Sequence, residues 1–327
     1  MNKANLALRR VLKGKKVLIT GGAGFIGSHL AEHVLRFGSE VIILDNFSTG
    51  KIENLAHLPS SRISVIRGNA NRKSDVEKAF RYKPSFLFHL AATVGVDRTL
   101  KNPLLVLDDL NGLHNVLRLS LKHGVKKAVF SSSSEVYGEP VTHPQSEEHT
   151  PLNSRLPYAV VKSAGENFFR AYYEMHKLPT TSFRFFNVYG PRQDSSGYGF
   201  VVSIFIKNAL SGKPPVIFGD GRQTRDFNYI DDVIAVLLHS LITPESDGES
   251  LNIGKGKEVR IVDLAEQIIK LCGAKGMQPV FAPARKKGDM SRRRANPQKL
   301  KKIIKYVPHT SLREGLKRTI AHLRGQT

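Results

Sequence analysis

The chain has 327 residues, 40% of them hydrophobic, which is enough for one large domain or two modest domains with a hydrophobic core. No apolar run reaches the roughly 18 residues that a membrane span needs, and the N-terminal apolar patch from Leu6 to Leu8 is too short for a signal peptide. The single cysteine, Cys272, excludes an intramolecular disulfide and a cysteine metal cluster. We therefore expect a cytoplasmic protein without a metal, in which Cys272 is a buried packing residue.

The charge balance is strongly basic, with 50 Lys and Arg against 28 Asp and Glu, a net charge of +22. Such a surface attracts anions and steers acidic ligands toward the protein. The cations are scattered along the chain and do not alternate with aromatic residues as they do in a nucleic-acid platform. We therefore expect no specific nucleic acid, and nucleic-acid binding remains only a remote alternative.

The first predicted strand, Val17 to Thr20, runs into a glycine-rich turn that opens a helix at Phe25. This arrangement is typical of a dinucleotide site, because the first glycines allow a tight turn and the later ones let the backbone approach a pyrophosphate and the helix pack on the strand. Free N–H groups at the start of the helix point at the phosphates. The residues that we expect to hold this part of the cofactor are Gly21, Gly24, Phe25, Ile26 and Gly27.

The second strand, Glu40 to Asp45, ends in an acidic residue about 20 positions beyond the glycine turn, where a carboxylate accepts hydrogen bonds from an adenosine ribose. Because a carboxylate repels a 2′-phosphate, NAD is favoured over NADP. The following loop, Asn46 to Gly50, is placed to wrap the adenosine side. From these two segments we expect cofactor contacts from Asp45, Asn46, Ser48 and Gly50.

Strand and helix patterns continue to alternate after this loop. Strands are predicted from Arg62 to Arg67 and from Ser85 to Leu90, with a helix from Ser74 to Arg81 between them. This spacing predicts an α/β fold of the Rossmann type, a doubly wound parallel sheet that binds ligands at the carboxyl ends of its strands. The strand ends that we expect to contact the cofactor are Asn69, Ala70, Leu90, Ala91, Ala92 and Ser131.

Two long helices, Pro103 to Lys122 and Pro157 to His176, flank a strand from Lys126 to Phe130 that ends in a run of serines. A further strand from Thr181 to Phe186 ends in Asn187, and the pattern then becomes looser. We therefore expect a cofactor domain over 1–187, with a return segment near 225–255. A smaller C-terminal α/β substrate-binding lobe is predicted over 188–327, closing on a helix from Ser311 to Arg324.

Tyr158 and Lys162 are four residues apart and share one face of the Pro157 to His176 helix. A neighbouring ammonium stabilises a phenolate, so we expect the pKa of Tyr158 to fall and the phenol to act as a general base. A serine hydroxyl between Ser131 and Ser133 is placed to share the proton of a substrate alcohol. By contrast, His89 and His114 are expected to be packed or hydrogen-bonded rather than catalytic.

The motifs Gly21-Gly-Ala-Gly-Phe-Ile-Gly27, Ser132-Ser-Ser-Glu-Val-Tyr-Gly138, Tyr158-Ala-Val-Val-Lys162 and Phe186-Asn-Val-Tyr-Gly-Pro-Arg192 resemble those of extended short-chain dehydrogenase/reductases. This family includes NAD-dependent nucleotide-sugar epimerases, dehydratases and decarboxylases. The resemblance implies a catalytic set of Ser133, Glu135, Tyr158 and Lys162, with the last two also contacting NAD. It implies a homodimer joined through the two long helices. Substrate contacts are implied for Val94, Arg98, Ser133, Asn187, Val201, Arg225 and Arg292.

The resemblance implies oxidation at C4 of a nucleotide sugar, and the later segments are most similar to UDP-hexose 4-epimerases. Glu135 keeps an alternative open, because Ser-Glu-Val-Tyr-Gly resembles UDP-glucuronate decarboxylases and some 4,6-dehydratases. Two positions depart from the family pattern: Asp109 stands where an asparagine is usual, and Asn69 where an aspartate is usual. A remote alternative is a non-catalytic NAD-sensing protein on the same scaffold.

Overall fold

The computed structural model describes residues 3–94, 99, 102–139, 141–194, 200–284 and 290–325. The strands are β1 Lys16–Thr20, β2 Glu40–Asp45, β3 Ile63–Arg67, β4 Phe86–His89, β5 Lys127–Ser133, β6 Thr180–Phe185, β7 Val188–Tyr189, β8 Val216–Phe218, β9 Thr224–Arg225, β10 Asn228–Tyr229, β11 Glu249–Ile253, β12 Val259–Arg260 and β13 Val280–Ala282. The helices are α1 Lys3–Leu12, α2 Phe25–Arg36, α3 Lys73–Phe80, α4 Asp109–Lys122, α5 Pro157–His176, α6 Val201–Leu210, α7 Ile230–Ser240, α8 Ile261–Cys272, α9 Gln298–Ile304 and α10 Leu312–Arg324.

The main sheet has seven strands in the order β11-β6-β5-β4-β1-β2-β3, and all of its pairings are parallel. The order reverses at β1, from which the chain proceeds first to β2 and β3 and then back to β4. This topology confirms the predicted Rossmann-like doubly wound sheet. It also creates a crevice at the carboxyl ends of the strands on either side of β1.

Helices cover both faces of the sheet. Successive side chains of a strand point to opposite faces, so the central strands contribute to two apolar cores. Val17 and Ile19 of β1 pack into one apolar core with α2 and α7, and Leu18 packs into a second core with α3, α4 and α5. The central strands β1, β2 and β4 are therefore largely apolar, as expected of a parallel sheet that is buried on both sides. The two cores therefore fix the positions of the strand ends that border the crevice.

Three elements differ from the sequence expectations. The basic N-terminus, for which we predicted no element, forms α1, which buries Leu8 and Leu12 in the core. The helix expected from Pro103 begins as a 3-10 turn, Pro103–Val106, and becomes α-helical only at Asp109. Strand β5 continues through the serines to Ser133, because they pair with β6.

The smaller strands lie outside the main sheet. β8 pairs with β13, β9 with β12, and β7 with β10. Among the described residues, no helix is both long and apolar enough to cross a bilayer. The same residues hold no group of three or more metal-ligating side chains.

Candidate active site

A cleft of about 940 Å³ opens at the carboxyl ends of the central strands. It collects most of the residues expected to contact cofactor or substrate: Gly21, Gly24, Phe25, Ile26, Gly27, Asp45, Asn46, Ser48, Asn69, Ala70, Leu90, Ala91, Ala92, Val94, Ser131, Ser133, Glu135, Tyr158, Lys162 and Asn187. The lining does not include Gly50, Val201, Arg225 or Arg292. Arg98 lies outside the described residues.

The glycine turn is a cradle that side chains would fill. A Cβ atom on Gly27 would lie 2.3 Å from the carbonyl oxygen of Gly21 and 2.7 Å from Cα of Gly22, so only glycine allows α2 to start this close to the turn. Gly21 has a φ of +70°, and a Cβ atom at this position would lie only 2.8 Å from the backbone nitrogen of Ala91. The cradle therefore exposes backbone N–H groups at the N-terminus of α2, as a dinucleotide pyrophosphate requires.

Asp45 lies at the end of β2 and is almost fully buried. Its carboxylate accepts hydrogen bonds from the backbone N–H groups of Ala23 at 2.9 Å and Phe47 at 2.8 Å, which ties the glycine turn to the next loop. Gly50 stands behind it, since a Cβ there would lie 2.9 Å from both carboxylate oxygens. Each oxygen keeps a second lone pair that can accept from a ribose hydroxyl. The site thus fits NAD, and its negative charge opposes a 2′-phosphate.

Lys162 is buried in the second turn of α5 and points back at the end of β5. Its Nζ donates to the carbonyl oxygen of Ser131 at 2.6 Å and lies 5.7 Å from the ring centroid of Tyr158. Burial lowers the pKa of Lys162 to about 8, while the carboxylates of Asp109 and Glu166 act in the opposite direction. The ammonium is therefore held charged near neutral pH by nearby carboxylates.

Tyr158 lies in the first turn of α5, and its pKa is raised above the usual value of a phenol. Burial is the main cause and the carboxylates of Glu135 and Asp109 add to it, whereas the hydrogen bond with Ser133 and the charge of Arg293 act against the shift. The fall in the pKa of Tyr158 that we expected from Lys162 is therefore wrong. In this arrangement burial and the charge of Glu135 favour the protonated phenol.

An ion pair beside Tyr158 was not foreseen from the sequence. Nη1 of Arg293 donates to Oε1 of Glu135 at 2.7 Å, and both side chains are largely buried in the wall of the cleft. Oε2 of Glu135 and Nε of Arg293 are buried atoms without a hydrogen-bond partner among the described residues. The pair therefore keeps one free acceptor and one free donor.

The resemblance implied a nucleotide contact for Arg292, whereas the member of the arginine run 292–294 that lines the cleft is Arg293. Arg292 faces outward and forms an ion pair with Glu258 at 2.7 Å. Arg225 donates to the carbonyl oxygens of Thr224 at 2.8 Å and Met290 at 2.9 Å, which supports the segment that carries Arg293. The roles of Arg225 and Arg292 toward a nucleotide stay predictions.

In the cleft lining, two side-chain amide oxygens are also buried without a hydrogen-bond partner among the residues that the structure describes. They are Oδ1 of Asn187, as expected for a ligand contact, and Oε1 of Gln193, which sequence reasoning missed. Both side chains line the cleft. Nε2 of Gln193 donates to the carbonyl oxygen of Val188 at 2.8 Å, and this contact fixes which amide atom is the free acceptor. Val201 begins α6 next to the lining residue Phe200.

His89 and Cys272 are side chains of reactive types for which we expected packing rather than catalysis. His89 is buried, and its Nδ1 lies 2.8 Å from the hydroxyl of Thr20, so the expectation of a packed, hydrogen-bonded histidine is confirmed. Burial lowers the pKa of His89 to about 3, which keeps the ring neutral. Cys272 ends α8 and is only partly buried, because the last turn of this helix reaches the surface.

Comparisons with known proteins agree with this geometry. The model of the NAD dependent epimerase/dehydratase family matches residues 17–254. The chain is 36% identical to a putative UDP-glucose 4-epimerase of Methanocaldococcus jannaschii, covering 93% of this chain and 97% of the relative. It is also 36% identical to a UDP-N-acetyl-alpha-D-glucosaminuronate decarboxylase of Bacillus cytotoxicus, covering 95% and 98%. A Thermus thermophilus UDP-glucose 4-epimerase in complex with NAD superposes with a TM-score of 0.86 at 35% identity, covering 95% of this chain and all of that one (100%).

Proposed function

The chain belongs to the NAD dependent epimerase/dehydratase family, and on that premise we propose that it is an NAD-dependent enzyme that modifies a UDP-sugar, in the first place a UDP-hexose 4-epimerase. One observation carries the proposal: Tyr158 and Lys162 line the same cleft as the glycine cradle, at the end of β5. The relatives named above support the nucleotide-sugar substrate.

The glycine cradle and Asp45 would hold NAD, whose nicotinamide accepts a hydride from a substrate carbon and returns it. Tyr158 would take the proton of the hydroxyl on that carbon, and Ser133 would hold this hydroxyl by a hydrogen bond. The ammonium of Lys162 favours the phenolate by charge, although burial and Glu135 together raise the pKa of Tyr158. These residues suffice for a reversible oxidation of a sugar alcohol to a ketone.

Decarboxylation of a UDP-uronate is a second candidate, and the Arg293–Glu135 pair favours it. The guanidinium of Arg293 has a free Nε in the cleft wall, and a guanidinium binds a carboxylate with two parallel hydrogen bonds. A substrate carboxylate would compete with Glu135 for this group and leave Glu135 able to take a proton. The Bacillus cytotoxicus relative, a decarboxylase, is consistent with this chemistry. A 4,6-dehydratase has less support, because Ser134 stands where an acid would be required.

Incubation with UDP-glucose, UDP-glucuronate and UDP-N-acetylglucosamine, followed by chromatography and mass measurement, tests these candidates. A product of unchanged mass but altered retention supports epimerisation, loss of carbon dioxide supports decarboxylation, and loss of water supports dehydration. The matched control is Tyr158→Phe, which removes one hydroxyl and keeps the ring. If none of the three sugars reacts, or if Tyr158→Phe reacts as fast as the wild type, the proposal is wrong.

We infer a homodimer built on α4 and α5, which stays to be tested. Apolar side chains that would be costly to leave in water are exposed on α5 and beside α4, among them Leu104, Leu107, Phe168 and Met175. Phe168→Asp places a charge in the middle of this surface, and Phe281→Asp, on exposed β13, is the matched control. Analytical ultracentrifugation should give a dimer for the wild type and for Phe281→Asp, and a monomer for Phe168→Asp. A monomeric wild type would contradict the inference.

We further propose a cytoplasmic location and the division into a cofactor domain and a substrate lobe. The single cysteine supports a reducing compartment. The small strand pairs that lie apart from the main sheet support a separate lobe. Fractionation of cells and limited proteolysis near Val188 would test these two proposals.

A further inference from the structure

Asp109, the first residue of α4, connects two loops that line the cleft. Its Oδ2 accepts a hydrogen bond from the backbone N–H of Thr93 at 2.7 Å, in the loop after β4. Its Oδ1 accepts from Nδ2 of Asn71 at 3.1 Å, in the loop after β3, and from the hydroxyl of Thr93 at 3.3 Å. All three donors are neutral groups, so these contacts order the carboxylate without cancelling its charge.

The neighbouring turns of α4 maintain this geometry. A Cβ on Gly112 would lie 2.6 Å from Oδ1 of Asn71, so glycine at this position makes room for the amide that Asp109 holds. Two turns into the helix, Nδ2 of Asn115 donates to the carbonyl oxygen of Ala70 at 3.2 Å. One face of α4 thus holds the loop after β3, and Asp109 extends the contact to the loop after β4.

The charged groups around Lys162 give Asp109 a particular role. Glu166, one turn further along α5, is already paired with Arg184 of β6 at 2.7 Å. On β4, burial keeps His89 neutral, and burial raises the pKa of Tyr158 on α5, so that its phenol is also uncharged near neutral pH. Asp109 is therefore a carboxylate near Lys162 whose own hydrogen-bond partners carry no charge, and its effect on the pKa of Lys162 is the largest of those that oppose burial.

We propose that Asp109 is a positioning residue with two effects: it joins the two loops of the cofactor cleft, and its charge keeps the Lys162 ammonium protonated. This inference rests on the proposed function. NAD carries a net negative charge, so the positive charge of a protonated Lys162 in the same cleft favours its binding, and a neutral Lys162 favours it less. The affinity for NAD should therefore fall as the pH rises through the pKa of Lys162.

The test is calorimetric titration of the full chain with NAD between pH 6 and pH 10, for wild type, Asp109→Asn and Asp108→Asn. Asp108 is exposed and also lines the cleft, but it is not among the groups that shift the pKa of Lys162, and its change to asparagine removes the same charge one position earlier. In Asp109→Asn, loss of the carboxylate should lower the pKa of Lys162 and move the alkaline fall in NAD affinity to lower pH than in the wild type. Asp108→Asn should keep the wild-type profile.

A merely structural role would weaken NAD binding equally at every pH, and this result would overturn the assignment, as would equal shifts in the two variants. Asp109→Glu restores the charge with altered geometry, and it should return the alkaline fall to the wild-type position. The readout uses NAD alone, so the two proposals can fail separately. A wild type that binds NAD but converts no UDP-sugar overturns only the proposed function, and a wild type that binds no NAD overturns both.

Discussion

Replacement of Gly27 by alanine should destroy the fit between the glycine turn and α2. The added methyl group would lie 2.3 Å from the carbonyl oxygen of Gly21 and 2.7 Å from Cα of Gly22. Both atoms belong to the backbone, so no side chain can rotate away and the turn or the helix must move. Overpacking of this kind costs about 1–3 kcal/mol. If the whole cost falls on the conformation that binds NAD, the affinity drops by about 5- to 150-fold.

Calorimetry with NAD measures this loss, and urea unfolding measures how much of it appears as lower stability. Gly24→Ala is the informative comparison, because its methyl group would lie 3.2 Å from the nearest atom, the carbonyl oxygen of Gly21. We expect this variant to fold nearly as well as the wild type and still bind NAD weakly, since the methyl group occupies the approach of the pyrophosphate. Gly325→Ala, with no atom closer than 3.6 Å, is the neutral control. If Gly27→Ala bound NAD with wild-type affinity, the cradle would not be the cofactor site.

Three further changes test other parts of the account. Tyr158→Phe should lower turnover by about 10²- to 10⁴-fold while NAD affinity stays near wild type, because the hydroxyl oxygen accepts the substrate proton. Steady-state kinetics measures turnover and calorimetry measures NAD affinity. A loss of both turnover and NAD affinity would indicate a structural role instead. Burial lowers the pKa values of His29 and His89 to about 3, so the unfolded chain takes up protons first as the pH falls below about 6.5. The free energy of unfolding should therefore fall by about 1.4 kcal/mol per pH unit for each histidine between pH 6.5 and 3, and urea titrations that show a flat profile there would contradict the burial of both rings. Arg293→Met should slow conversion of UDP-glucuronate more than that of UDP-glucose, whereas Arg292→Met should affect the two conversions alike. Equal losses for the two substrates in Arg293→Met would show that Arg293 does not bind the substrate carboxylate.

The sheet and the cofactor side of the cleft could be predicted because their signals are local. Asp45 stands at the end of an apolar strand, and the glycines of the first turn stand between a strand and a helix, so chain order alone places them at one edge of a parallel sheet. The relation between Tyr158 and Lys162 follows from helical spacing in the same way. None of these inferences needs a contact between distant segments.

The features that were missed depend on such contacts. The choice of Arg293 over Arg292 follows from how the 290–294 segment returns to the cleft, supported by Arg225 through the carbonyl oxygen of Met290. The raised pKa of Tyr158 has the same origin, since its causes are burial and the charge of Glu135, which acts on the phenol only in the folded protein. The packing of α1 likewise depends on a distant surface, where Leu8 and Leu12 meet the main core.

The most direct test uses UDP-glucose that carries deuterium at C4 of the sugar. If Tyr158 takes the hydroxyl proton while the hydride of the same carbon passes to a retained NAD and back, the wild type should form product with the deuterium still on the sugar. The reaction should be slower than with unlabelled substrate, and Tyr158→Phe should form almost none. Release of the deuterium to water, or conversion by Tyr158→Phe at the wild-type rate, would contradict the account.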